Sequence, residues 1–117
     1  MSITLNTLVY NQDSQPTADK VVYTGPSHTF SVKDQLTLGR TAPKATSIFA
    51  GVARSSIKRT KTLTLADSSV HEAIVELTVS LPVGAADADI DALVNDIADF
   101  AISTEGTNVI RKHDLTV

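Results

Sequence analysis

A chain of 117 residues with 42% hydrophobic and 20% charged residues has enough material for one folded domain with a core, and too little for two. It contains no apolar run near the roughly 18 residues of a spanning helix, and residues 1–5 lack the basic start and apolar block of a leader, so neither a membrane span nor a cleaved signal is expected. A net charge of −3 argues against binding driven by bulk attraction to phosphate, and the absence of cysteine excludes disulfides, thiol catalysis and cysteine-based zinc sites.

Ile3, Leu5 and Val9 alternate with Thr4 and Asn6 as in a strand, and residues 11–19 read as a polar loop before a second strand over residues 20–24. After the turn signal Gly25-Pro26-Ser27, the apolar residues Phe30, Val32, Leu36 and Leu38 all fall on even positions, predicting a long two-faced strand. Residues 46–53 are small and β-branched and read as a further strand. Ser55-Ser56 reads as the start of a connection, with residues 58–65 returning as a strand, so that the pair forms a hairpin with a basic tip. A turn at residues 66–69 precedes the clearest alternation, Ala73, Val75, Leu77, Val79 and Leu81 against Glu72, Ile74, Glu76, Thr78 and Ser80, stopped by Pro82.

The period then becomes helical. Ile90, Leu93, Val94, Ile97, Ala98 and Ala101 share one face of a helix over residues 86–103, whose early Asp87, Asp89 and Asp91 suit the exposed N–H groups of a helix start. Gly106 reads as a terminator, with Thr107 capping a short second helix or strand that carries Val109, Ile110 and Leu115. The expected class is α+β: an N-terminal hairpin and an antiparallel sheet of five to six strands over residues 2–81, then one long and one short helix over residues 86–115, in one domain. One helical stripe is too small to cover such a sheet, which points to oligomerisation.

Charge is laid out in blocks. Between residues 35 and 66 stand six basic residues, Arg40, Lys44, Arg54, Lys58, Arg59 and Lys61, and no acid; residues 62–108 hold nine acids and no Lys or Arg. The basic block suits a polyanionic partner, and it equally suits an acidic block facing it across an interface. Lys58, Thr60, Thr62 and Thr64 project from one strand face, with Ser47 and Phe49 as candidate neighbours; such a stripe can hydrogen-bond phosphate and splayed bases, and can equally be a solvated β-face. His28, His71 and His113 lack metal-ligand spacing, and phosphate-loop and nucleophile-elbow motifs are missing, so no enzyme activity, metal or cofactor is expected.

Four features together give the chain its resemblance to the coat proteins of single-stranded RNA bacteriophages, the leviviruses: the strand at residues 3–10, Ser55-Ser56 followed by Lys58-Arg59-Thr60-Lys61-Thr62-Leu63-Thr64-Leu65, Glu76-Leu77-Thr78-Val79 in the last strand, and the helix from Asp87 to Ser103. That resemblance implies a homodimer whose sheet runs on across both subunits. It also implies icosahedral assembly in the bacterial cytoplasm around the RNA genome, and repression of replicase translation through an RNA hairpin, with no membrane partner. Carried over by position, it offers Ser47, Lys58, Thr60, Thr62 and Thr64 for RNA contact, with Arg54, Arg59 and Lys61 near the hairpin of strands, and Glu72 and Glu76 on the same inner face. Ile90, Leu93, Val94, Ile97 and Ala101 would pack the helices across the dimer. Thr64 stands where the family often has lysine, and Ile74 where it has a polar, base-contacting side chain. The alternative expectation is a cellular dimeric sheet-plus-helix interaction module that binds no nucleic acid.

Overall fold

The computed structural model describes residues 2–48 and 51–116. Six strands, β1 (Ser2–Leu5), β2 (Leu8–Thr17), β3 (Lys20–Thr24), β4 (Asp34–Thr41), β5 (Val52–Thr64) and β6 (Val70–Pro82), precede two helices, α1 (Asp87–Ile102) and α2 (Thr104–Lys112). The strands form one antiparallel sheet in chain order, so each pairs with its sequence neighbours, and β1 and β6 are its edges. This is the expected α+β class. The chain divides into two compact units, Met1–Val83 and Gly84–Val117.

Several sequence expectations are corrected in the sheet. The first turn falls at Asn6-Thr7, both with positive φ (47° and 73°), the conformation a two-residue hairpin needs to match the twist of its strands. Residues 11–17, read as a loop, are therefore strand: they belong to β2, and they escape detection because they are exposed along their whole length and no apolar alternation marks them. Pro16, which has no N–H to donate, lies where the β2–β3 register slips between Ser14 and Thr17.

The second correction concerns the strand expected over residues 30–38. It starts only at Asp34; before it, Phe30 and Ser31 sit at the tip of a turn closed by Thr29 and Val32, with Phe30 fully exposed. The third concerns Ser55-Ser56, which begin no connection and form no hairpin tip. They lie inside β5, paired to Arg40 and Gly39 on one side and to Val79 and Thr78 on the other, so backbone bonds to two neighbours hold them. In the stretch read as a strand over residues 46–53, the described residues join β5 only from Val52; Phe49 and Ala50 lie outside the described residues.

Tyr10, Tyr23 and Leu36 form the buried apolar core of the sheet unit, with Ile3, Leu5, Val21 and Leu38 packed around them. In the helical unit, α1 begins with Asp87 and Asp89 in its first turn, as the helix dipole favours, and has no buried residue. Ser103 caps α2: its hydroxyl accepts from the Gly106 N–H (3.0 Å) and donates to the Phe100 carbonyl (2.6 Å). The expected cap Thr107 and terminator Gly106 are therefore both wrong, since each lies inside α2. Gly106 is buried there, at a point so tight that a Cβ would run into the Phe100 carbonyl. Gly106→Ala should pry the α1–α2 corner apart at a cost of about 1–3 kcal/mol, read as a lowered thermal midpoint in the helical circular-dichroism signal.

Candidate nucleic-acid interface

Strand register separates the two faces of the sheet. Tyr23, Leu36, Arg59 and Val75 stand in one cross-strand row, and Val21, Leu38, Ile57 and Leu77 in the next, making this the apolar face. On the other face, Val22, Thr37, Lys58 and Glu76 form one row and Thr24, Gln35, Thr60 and Ile74 the next; Thr41, Arg54 and Ser80 form a third. Because successive side chains of a strand alternate, Arg54, Lys58, Thr60, Thr62 and Thr64 are brought together on this polar face. Arg59 and Lys61 are on the opposite one, and Ser47 lies in the segment joining β4 to β5, outside any strand.

The members of the polar stripe are unequally presented. Arg54 and Thr64 are exposed and Lys58 half-buried, while Thr60 is only 6% exposed. The Thr62 hydroxyl accepts the Lys33 N–H (2.9 Å), and the Thr62 N–H donates to the Lys33 carbonyl (2.9 Å), so this threonine clasps the end of the β3–β4 loop. Glu76 stands opposite Lys58 and receives a hydrogen bond from the Thr78 hydroxyl (3.1 Å). Glu72 stands opposite Thr62 and pairs with Lys33 at 2.7 Å, in the open, where such a pair contributes little. Thr37, Gln35 and Lys33 join this surface through register and loop folding alone, with no motif to announce them.

Arg59 is committed elsewhere. Its guanidinium lies 2.6 Å from the Asp34 carboxylate, donates to the Tyr10 hydroxyl and to the Gln35 and Thr60 carbonyls, and stacks 5.0 Å over the Tyr10 ring. Tyr10 in turn donates to Asp34 at 2.8 Å. Burial works to raise the Asp34 carboxyl, but the Tyr10 hydroxyl and the Arg59 charge outweigh it and hold the group below the ordinary carboxylate range; burial and the Asp34 contact push the Tyr10 hydroxyl up. With both terminal nitrogens of the guanidinium and the Asp34 carboxylate engaged, the cluster is a clamp between β2, β4 and β5, its cation already neutralised.

Among the described residues, no group of three or more His, Asp or Glu could hold a metal, and no helix is long and apolar enough to cross a membrane. His28 is structural, its Nδ1 accepting the Asp34 N–H at 3.2 Å.

No protein-family model matches the sequence, and no curated protein sequence matches it. Solved structures do match, across nearly the whole chain. The subunit in the virus-like particle of Beihai levi-like virus 32 is 15% identical, with a TM-score of 0.83 over 96% of this chain and 91% of that one. That of bacteriophage GQ-907 is 12% identical, with a TM-score of 0.80 over 99% and 90%. That of Wenzhou levi-like virus 4 is 21% identical, with a TM-score of 0.77 over 91% and 77%. At these identities the likeness is one of architecture, and the six-stranded antiparallel sheet followed by two helices is the fold of a levivirus-like coat protein.

Proposed function

We propose that this chain is the coat subunit of a levi-like RNA phage, with sheet and helices acting as one domain in a homodimer that builds an icosahedral shell around RNA and performs no catalysis. The observation that carries the reading is the end-to-end match to subunits of virus-like particles. Two physical features support it. β6 is a 13-residue edge strand whose outer backbone groups have no strand partner among the described residues, and it carries Val70, Ile74 and Val75, each more than half exposed. A long, apolar open edge is a template for pairing with a second copy, which would continue the sheet across the dimer. The apolar stripe of α1 is likewise uncovered in the single chain, with Leu93 at 59% and Ile97 at 57% exposure.

The polar sheet face is the surface we assign to RNA. It combines hydroxyls with Arg54 and Lys58, and it also carries Glu72, Glu76 and the exposed apolar Ile74, so neutralisation of phosphate suits it better than reading of bases in a repressor hairpin. The opposed faces of β5 separate two lysines that the charge block alone treats as equivalent. Lys58→Ala should lower the RNA content of assembled particles and reduce the slope of log K against log salt for single-stranded RNA by about one, whereas Lys61→Ala should leave both unchanged. Equal effects of the two substitutions would contradict the assignment of the polar face.

A further inference from the structure

The cations of the basic block differ in whether they are neutralised. Arg40 pairs with Asp19 and Arg59 with Asp34, and Lys33 just outside the block pairs with Glu72. Lys44 and Arg54 have no ion pair or side-chain hydrogen bond among the described residues, and both line one cavity of about 360 Å³ with Thr41, Ala42, Gly51 and Val52. No acid lies between residues 35 and 66, so the sequence around this cavity brings no counter-charge.

The cavity is built by backbone that cannot easily relax. Thr41 and Arg54 are direct partners across β4 and β5, on the polar face. Pro43 restrains the chain as it leaves β4. Gly51, at φ +100°, packs against the backbone of Lys44, where a Cβ would lie 2.7 Å from the Lys44 carbonyl oxygen. The Gly51 carbonyl is in turn tied by the Val83 N–H at 3.0 Å. The Lys44 backbone is thereby fixed at the wall of the cavity that Arg54 also lines, so the cavity combines a point charge and a planar fork of donors with Thr41, the partner of Arg54 across the two strands. This combination is suited to a phosphate group, which can take bidentate bonds from a guanidinium and a further charge from an ammonium.

We infer that the Thr41–Lys44–Gly51–Arg54 cavity is a phosphate site that seats a backbone phosphodiester of single-stranded RNA at one end of the polar sheet face. The inference rests on the RNA-packaging reading above and deepens it: Lys58 lies four residues along β5, about 13 Å away, so one stretch of RNA can span both. The site is also sequence-independent, because it addresses only the backbone.

Two measurements on the RNA-free full-length protein test it. In the first, inorganic phosphate replaces chloride at constant ionic strength while backbone amide NMR signals are followed. Saturable shifts centred on Thr41, Lys44, Gly51 and Arg54 are expected. In the second, a single-stranded RNA oligonucleotide is titrated at several salt concentrations. Lys44→Gln with Arg54→Gln should reduce the salt slope by about two and weaken binding by an order of magnitude or more near 0.1 M salt, and Arg54→Lys should restore part of the loss. Thermal melting and oligomer size of each variant identify any misfolding, and Arg54→Lys with Lys44→Arg keeps both charges if the glutamine pair does not fold. RNA binding by the unaltered protein with a slope that the glutamine pair leaves unchanged would overturn the site and leave RNA packaging standing. Phosphate shifts without any RNA binding would overturn the assignment to RNA and with it the packaging reading. Absence of both responses would overturn the site altogether.

Discussion

Asp34→Ala should destabilise the sheet unit by about 3 kcal/mol or more, because it strands the partly buried Arg59 guanidinium and the Tyr10 hydroxyl together. Asp34 is almost fully buried, within 2.6 Å of Arg59 and 2.8 Å of the Tyr10 hydroxyl, and it also receives the Ser27 N–H at 3.4 Å. Gly25 packs so closely on this cluster that a Cβ there would lie 2.5 Å from the Asp34 carboxylate, so neighbouring groups have little room to collapse into the gap. Tyr10→Phe, which removes one hydroxyl, should cost about 1–2 kcal/mol, and combining it with Asp34→Asn should give less than the sum of the single effects.

The same cluster sets an acid limit. The folded-state pKa of Asp34 lies below its unfolded value, so its contribution is fully present above about pH 4 and is lost as pH falls through the lower, folded-state value. Thermal midpoints followed from pH 7 to pH 2 should fall steeply in the acid range, and Asp34→Asn should start lower and show a flatter acid limb. Asp67 and Asp114 are also held below the ordinary range, chiefly by hydrogen bonds from Ser69 and Thr116 respectively, but both are exposed turn residues and their replacement should leave that limb in place.

Leu93→Asp with Ile97→Asp should abolish assembly while leaving the sheet unit folded. Both side chains are more than half exposed in the single chain, so their substitution removes no packing from the sheet's core of Tyr10, Tyr23 and Leu36. Covering a leucine or isoleucine contributes roughly 1.5–3 kcal/mol, and placing carboxylates in a dry interface costs more than that gain. Size-exclusion chromatography should show small species in place of particles, with the near-ultraviolet signal of the sheet tyrosines retained. Intact particles from this variant would remove α1 from the subunit interface.

What could be read in the sequence follows from which surfaces are one-sided. β6 and α1 are legible because apolar residues recur at a period of two in one and near 3.6 in the other. The turn before β6 is legible from Asp67-Ser68-Ser69: the Asp67 carboxylate accepts from the Ser69 N–H, and Ser68 takes φ 69°. β2 is illegible beyond Tyr10 because its remaining residues meet solvent on both sides. Ser55-Ser56 mimic a connection because their strand context lies in partners across the sheet. The stripe of Lys58, Thr60, Thr62 and Thr64 follows from strand parity alone, but the burial of Thr60 does not. Arg59 joined the basic block because charge counting cannot tell one strand face from the other; its partners Asp34 and Tyr10 are 25 and 49 positions away, with no spacing rule to connect them. The Lys44–Arg54 cavity depends on a glycine at positive φ in a loop, which composition does not reveal.

The most direct test of the coat reading is expression of the chain alone in bacteria, followed by size-exclusion chromatography with absorbance at two wavelengths, near 260 and 280 nm, and negative-stain microscopy of the largest species. Regular closed shells rich in nucleic acid are the expected result. Dimers or other small oligomers free of nucleic acid, at concentrations and salt conditions that permit assembly, would contradict the account and leave a sheet-plus-helix interaction module as the function of this fold.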